Sequence, residues 1–191
     1  GRVYVKLDGT VDFDRWVQGI ADGRSYVSDG QVHLMDTQAT AGSKTLDLGK
    51  EGSELAIAKG EKIRLTLKAS AYLKGAKTVP VELVVNGYPV ATKELVADGE
   101  TREIVLEAPI EKSSWVAVRV FPHAHTNPFF VLVDGKPIRP NADSVKWDLM
   151  GVEQCWKPKL NSYARAEREQ AKADYDHARK HYSKVLAESA N

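Results

Sequence analysis

The sequence has little cysteine, almost no net charge and no long apolar run. Cys155 is the single cysteine among 191 residues, which excludes an internal disulfide and a zinc site built from cysteines. Basic and acidic residues number 27 and 26, so the balance favours neither nucleic acid nor an anionic membrane surface as a partner. The longest apolar runs fall far short of a membrane span. We therefore expect no nucleic-acid partner and no membrane span.

The densest run of strand-forming residues lies at positions 113–138. In an extended segment Val116, Val118 and Val120 share one face, which we expect to be buried. A break at Pro122–Pro128 separates this segment from a second predicted strand, Phe129–Val133. Two adjacent strands this apolar need further strands to cover them, which predicts a β-domain.

The preceding part of the chain is typical of short strands separated by polar turns. Ile63, Leu65 and Leu67 alternate with polar residues as in a half-buried strand, and Asn86–Gly87 predicts a hairpin turn. Close spacing with almost no helix between the strands favours an antiparallel β-sandwich, Ig-like or jelly-roll-like. Before these strands, a short helix is predicted from four apolar residues at helical spacing: Phe13, Trp16, Val17 and Ile20.

The pattern changes after Pro140. Positions 141–160 are mixed in composition, and we expect an irregular segment that Pro158 breaks. From about Asn161 to Glu188 the Ala, Glu, Lys and Arg content predicts one long helix, docked on the sandwich or on another chain through Tyr175, Tyr182 and Leu186. The predicted organisation is therefore a segment 1–30, a sandwich 31–140, and an irregular segment plus helix 141–191.

The one pair of residues with metal-like spacing is His123 and His125. A catalytic metal needs a third protein ligand, and no spacing selects one from the possible carboxylates Asp134, Asp143 and Glu153. We favour a polar loop between two strands, in which His125 is a hydrogen-bonding strut and His123 is more exposed. We therefore predict no metal, no cofactor and no catalytic residue in this chain.

Three other residues are candidates for ligand or interdomain contacts. Arg24 can pair with a carboxylate at a domain junction or bind an anion, and the first is favoured. Trp147 and Trp156 fall outside any clear strand pattern and can stack on a sugar, whereas Trp115 is expected in the core.

Four segments together resemble a known family: Gly23–Gly30, Val81–Val90, Ser113–Val131 and Gly151–Trp156. They are similar to the C-terminal region of the carbaryl-hydrolase-like (CehA/McbA-type) branch of the PHP metallohydrolases. In that family an N-terminal barrel holds the metals, and a GR-(S/T)-(Y/F)-V segment leads from it into a β-rich region. The barrel and its His-x-His motif have no counterpart here, since the His-x-His at His123 lies in the β-region.

The resemblance implies a non-catalytic accessory domain of a larger metal-dependent hydrolase, with positions 1–30 as the exit from the barrel. It implies that the barrel is the partner and contains divalent metal. The narrow apolar stripe of the C-terminal helix separately allows a homo-oligomer. The compartment is left open, with export of the parent as one option. Two alternatives stay open. One is a module that binds a carbohydrate or another surface ligand, and the other is a small metal-dependent hydrolase that uses His123 and His125.

Overall fold

The structure, a computed structural model, describes residues 1–139 and 141–189. The chain forms two compact units, Gly1–Ile138 and Arg139–Asn191. The strands of the first unit are β1 (Arg2–Val5), β2 (Ser25–Ser28), β3 (Val32–Ala41), β4 (Lys44–Asp47), β5 (Glu54–Ile57), β6 (Lys62–Ala71), β7 (Thr78–Val85), β8 (Tyr88–Val96), β9 (Arg102–Pro109), β10 (Ser114–Val120), β11 (Ala124–Thr126) and β12 (Phe129–Val133). The helices are α1 (Phe13–Ala21) in the first unit and α2 (Ala142–Lys159) and α3 (Arg168–Ser189) in the second.

The first unit is a β-sandwich of two sheets. The larger sheet is organised around β10, which pairs antiparallel with β7 along one edge and with β11 and β12 along the other. Strand β8 extends this sheet beyond β7, β2 and then β1 extend it beyond β11, and β5 pairs with β12 in parallel. The smaller sheet has the order β4-β3-β6-β9 and is antiparallel throughout. The predicted mainly β, sandwich-like fold is confirmed.

The core lies between the two sheets, and strand alternation places it there. Val116, Val118 and Val120 of β10 are fully buried, as predicted, and so are Ile63 and Leu65 of β6. Side chains of a strand point alternately to opposite faces, so every second residue of β10 enters this core. The predicted hairpin at Asn86–Gly87 is present between β7 and β8, with positive φ at both turn residues (49° and 95°).

Positions 1–30 contribute β1, α1 and β2 to the same compact unit as the sandwich. The side chain of Asp12 caps α1 by accepting a hydrogen bond from the backbone N–H of Arg15 at 2.9 Å. Gly19 is the only buried residue of α1, and a Cβ there would overlap Val5 of β1. The helix therefore lies on β1 through its glycine.

The second unit corrects the expectation of an irregular segment. Positions 142–159 form the regular helix α2, which Asn141 caps through a 2.8 Å hydrogen bond to the N–H of Asp143. Pro158 lies within the last turn, so it interrupts little of the hydrogen-bond ladder. The second helix begins at Arg168 rather than near Asn161, and it packs against α2. None of these helices is long and apolar enough to cross a membrane, within the residues that the structure describes.

Candidate functional site

His123 is tied to a carboxylate that lies far away in the sequence. Its Nδ1 is 2.7 Å from Oδ2 of Asp29, in the turn between β2 and β3, and the Asp29 N–H donates to the His123 carbonyl at 3.0 Å. The hydrogen bond from His123 holds the pKa of Asp29 below its usual value, and a backbone bond from Gln31 adds to this while desolvation opposes it. The pair joins two loops of the larger sheet.

His125 does not have the expected role of a strut. It is exposed, and its Nδ1 lies 3.3 Å from the carbonyl of Thr126, a long contact within its own strand. The strut is Thr126, which is buried and accepts a 3.1 Å hydrogen bond from the Val118 N–H through Oγ1. In addition, Asn127 donates to Ser25 Oγ at 3.0 Å and ties this loop to β2. The expected order of exposure for the two histidines was therefore wrong.

The possible third metal ligands are engaged elsewhere or lie in turns. Asp134 is in the turn after β12 with a φ of 51°. In the second unit, Asp143 pairs with Lys146 at 2.7 Å and Glu153 pairs with Arg179 at 2.5 Å. Within residues 1–139 and 141–189, no group of three or more His, Cys, Asp or Glu side chains could hold a metal ion.

Arg24 pairs with a carboxylate inside the first unit. One terminal nitrogen donates to Asp8 Oδ2 at 2.8 Å, and the arginine side chain is 15% exposed against 69% for the aspartate. This hydrogen bond, together with the charge of Arg24, lowers the pKa of Asp8. The arginine side chain is thus mostly buried, whereas the aspartate with which it pairs is exposed to solvent.

The structure does not bring the predicted tryptophans together as a stacking platform. Trp156 packs between helices α2 and α3, with its ring 4.9 Å from that of Tyr175 and 5.8 Å from the Arg179 guanidinium. Trp147 is 70% exposed on α2. Trp115, expected in the core, alternates with the buried valines of β10 and is half-buried on the outer face of the larger sheet, opposite Phe130.

The most prominent feature of the surface is the apolar stripe of α1. Phe13 is 74% exposed, and Trp16, Val17 and Ile20 are between 36% and 44% exposed. The helix is strongly amphipathic, yet it contacts β1 through Gly19 and leaves its apolar side chains to solvent. Amphipathic helices of globular domains ordinarily turn that stripe toward a core. The stripe is therefore a surface on which something else can pack.

The stripe continues onto the outer face of the larger sheet. Ile20 borders a depression that Pro128 and Phe130 also line, and these two residues border a second depression formed with Trp115 and Ala117. Polar residues share these depressions, among them Asp22, Ser53 and Asn127, so the apolar side chains are clustered within a mixed surface. Exposed apolar side chains that cluster in this way typically mark an interaction site. We call this surface the apolar face, and it comprises Phe13, Trp16, Val17, Ile20, Pro128, Phe130 and Trp115.

Sequence reasoning identified the α1 stripe but not that it is exposed. The spacing of Phe13, Trp16, Val17 and Ile20 gives the helix and its apolar side, and it does not say what that side contacts. The signal that could have shown it is Gly19, a glycine that lies to one side of the stripe. A glycine there permits close approach to β1 and fixes which side faces inward.

A scan against protein-family models and a search of curated proteins gave no match to this chain.

Proposed function

We propose that the sandwich is a non-catalytic accessory domain that packs, through the apolar face, on the metal-binding barrel of a PHP-type metal-dependent hydrolase. The observation that carries the proposal is the exposed stripe of α1 and its continuation to Phe130 and Trp115. Full burial of a large apolar side chain contributes about 1.5–3 kcal/mol, so covering several half-exposed ones is a substantial driving force.

The position of the apolar face supports the barrel as its occupant. The resemblance to the carbaryl-hydrolase-like branch includes the Gly23–Val27 segment, which in that family leads out of the barrel. In this chain that segment directly follows α1 and runs into β2. The exposed stripe therefore lies beside the junction, where a barrel that precedes the sandwich would meet it. The role is positioning or structural, and the divalent metal belongs to the barrel.

The first test is the sequence of the gene upstream of the codon for Gly1. A His-x-His motif followed by further His and Asp clusters supports the proposal, and an upstream sequence without them overturns it. In the complete gene product, we then expect the amides of 13–20 to exchange hydrogen more slowly than in this chain alone. Equal exchange rates would contradict packing through α1.

Substitutions in the apolar face test whether this surface, rather than another part of the sandwich, contacts the barrel. Replacing Phe13 and Ile20 by serine should restore fast exchange at α1 in the complete gene product, because the apolar contact is lost. The matched control is Tyr72→Ser, which removes a 70% exposed aromatic outside the apolar face and should leave exchange at α1 unchanged. If both variants behave alike, the apolar face has no special role.

A carbohydrate-binding module is the second candidate. Trp115 and Phe130 are directly opposite on neighbouring strands and line one depression, an arrangement on which a sugar ring can stack. A glycan array tests it. Binding that is lost in Trp115→Ala and kept in Trp147→Ala favours this candidate over packing on a barrel.

A further inference from the structure

The histidines of the chain fall into two groups. Three lie in the sandwich, and each has its ring nitrogen Nδ1 within hydrogen-bond distance of another group: His33 of the Tyr26 hydroxyl at 2.8 Å, His123 of Asp29 at 2.7 Å, and His125 of the Thr126 carbonyl at 3.3 Å. The other two, His177 and His181, are exposed on α3. Within residues 1–139 and 141–189, neither of these two rings makes a hydrogen bond or an ion pair. The nitrogens of both rings are therefore available to a ligand.

The spacing of His177 and His181 places both rings on one face of α3. The helix runs from Arg168 to Ser189, so neither histidine lies in a terminal turn. Residues four apart on an α-helix are neighbours on its surface, with Cβ atoms about 5–6 Å apart. This is the spacing at which two histidines of the zinc-binding motif H-E-x-x-H hold one metal ion.

The two imidazoles select the class of metal. Imidazole suits divalent transition ions such as zinc, copper and nickel, whereas magnesium and calcium prefer oxygen ligands. In the part of the chain that the structure describes, no third His, Cys, Asp or Glu side chain completes a metal site. Zinc is usually four-coordinate, so water would fill the other positions. We propose that His177 and His181 together bind one divalent transition-metal ion at the surface of α3. This site does not depend on the accessory-domain function.

The charged neighbours of the pair limit its affinity. Asp174 lies about one turn before the pair and adds negative charge. Lys180 and Lys184 are exposed at neighbouring positions and oppose the binding of a cation, and Glu188, 3.8 Å from Lys184, offsets part of this effect. With two protein ligands instead of four, we expect a zinc dissociation constant of about 10–100 µM, much weaker than that of a structural zinc site.

Binding at this pair would act on the stability of the helical unit. Within its described part, α3 has no buried residue. A ligand that binds only the folded state stabilises that state, and the effect grows with the ratio of ligand concentration to dissociation constant. Because the two histidines lie on adjacent turns, an ion held by both opposes the opening of α3. The order of α3 should therefore depend on the concentration of the metal.

Titration of the full chain with zinc chloride tests the site. We expect one zinc ion per chain and chemical-shift changes centred on the amides of 174–184. At a free zinc concentration ten times the dissociation constant, hydrogen exchange in α3 should slow by about tenfold. Magnesium chloride at the same concentration should have no effect. An absence of saturable zinc binding, shift changes confined to the sandwich, or an equal effect of magnesium would each overturn the proposal.

Single substitutions separate this pair from the histidines of the sandwich. His177→Gln and His181→Gln each introduce a helix-favouring polar side chain at an exposed position, so the fold should be retained. Each should lower zinc affinity by about tenfold or more, because the remaining imidazole loses its intramolecular partner. His125→Gln is the control at an exposed histidine of the sandwich, and it should leave the affinity unchanged. Unchanged affinity in both α3 variants, or an equal loss in His125→Gln, would overturn the proposal.

Moving one histidine tests the spacing. The double variant His181→Gln/Ser183→His keeps the number of histidines at five but places the second one six positions from His177, on another side of the helix. Its zinc affinity should equal that of His181→Gln alone. An affinity equal to that of the unsubstituted chain would show adventitious binding by single histidines and would overturn the proposal.

Discussion

The two units of this chain are stabilised by different means. The sandwich buries a continuous apolar cluster that draws on most of its strands. In the described part of the helical unit, Val145 is the only buried residue of α2 and α3 has none. That unit relies instead on the half-buried Trp156, which contacts Tyr175 and Arg179 between the helices. We conclude that the sandwich should tolerate loss of a surface contact, whereas the helical unit should depend strongly on one aromatic residue.

The largest effect is expected for Val118→Asp in the sandwich. Val118 is fully buried in the central strand, and the substitution removes apolar burial and places an unpaired charge there. The loss should exceed about 4 kcal/mol and unfold the sandwich. Circular dichroism with a thermal melt checks it. A soluble variant that melts cooperatively would show that the core lies elsewhere.

Gly49→Ala tests how strictly the sandwich constrains its backbone. Gly49 has a φ of +82°, and a Cβ would strike the backbone of Arg24, so the expected loss is about 2–4 kcal/mol. The control is Gly42→Ala, at a φ of +56° with open space around it. It carries only the cost of placing a side chain at positive φ, about 1–2 kcal/mol. Equal denaturant midpoints for the two variants would contradict the close approach at Arg24.

Trp156→Ala should act on the helical unit alone. Half-buried aromatic packing with Tyr175 and Arg179 is lost, at an expected cost of about 2 kcal/mol. Because little else is buried there, the amides of α3 should exchange faster while those of β10 stay protected. Trp147→Ala, which removes a 70% exposed ring, is the control. Parallel loss of protection at β10 would contradict a role of Trp156 confined to the packing of α2 against α3.

His123→Ala should destabilise the sandwich by about 1 kcal/mol or less, and His125→Ala by less still, because only His123 holds a carboxylate. The folded-state pKa of Asp29 is lowered, so its contribution is present above about pH 4 and is lost as the pH falls through the folded value. Acidification should therefore lower the stability of the unsubstituted chain more than it lowers the stability of the His123→Ala variant. Urea melts across this range measure it, and equal acid sensitivity would exclude the pair as the cause.

The last substitution should have an effect of the opposite sign. Gly151 lies inside α2, and a Cβ there would meet no atom within 4 Å. Gly151→Ala should therefore stabilise the helical unit by about 0.5–1 kcal/mol, because alanine has less backbone freedom to lose. Hydrogen exchange at α2 checks it. The result sharpens the contrast with Gly49, where the same change is costly.

The sandwich could be predicted from the sequence because its signals are local and strong. The alternation of apolar and polar residues in Ile63–Leu67 and Val116–Val120 specifies both a strand and its buried face. The Asn86–Gly87 turn specifies a hairpin. Helix α2 could not be predicted, because its apolar residues lack a clear helical period and Pro158 is typical of a helix break. Composition extended α3 too far, because alanine and charged residues favour a helix without marking its start.

The candidate sites were less predictable, because they depend on contacts between distant residues. Spacing drew attention to His123 and His125, and only the folded chain shows that Asp29, 94 positions away, engages one of them. Arg24 was identified as a candidate for pairing with a carboxylate or binding a ligand, yet nothing in the sequence selects Asp8, 16 positions away, as its partner. Such pairings carry no sequence pattern.

The parallel pair of β5 and β12 has a consequence for how the chain acquires its structure. Residues 54–57 lie beside 130–133, so this edge cannot close until a long loop of chain has been brought back. Likewise β2 cannot pair until β11, which lies about 100 positions later, is available. Contacts of such high sequence separation slow folding, typically to milliseconds or seconds. During synthesis on a ribosome, the larger sheet would remain open at two edges until β12 emerges.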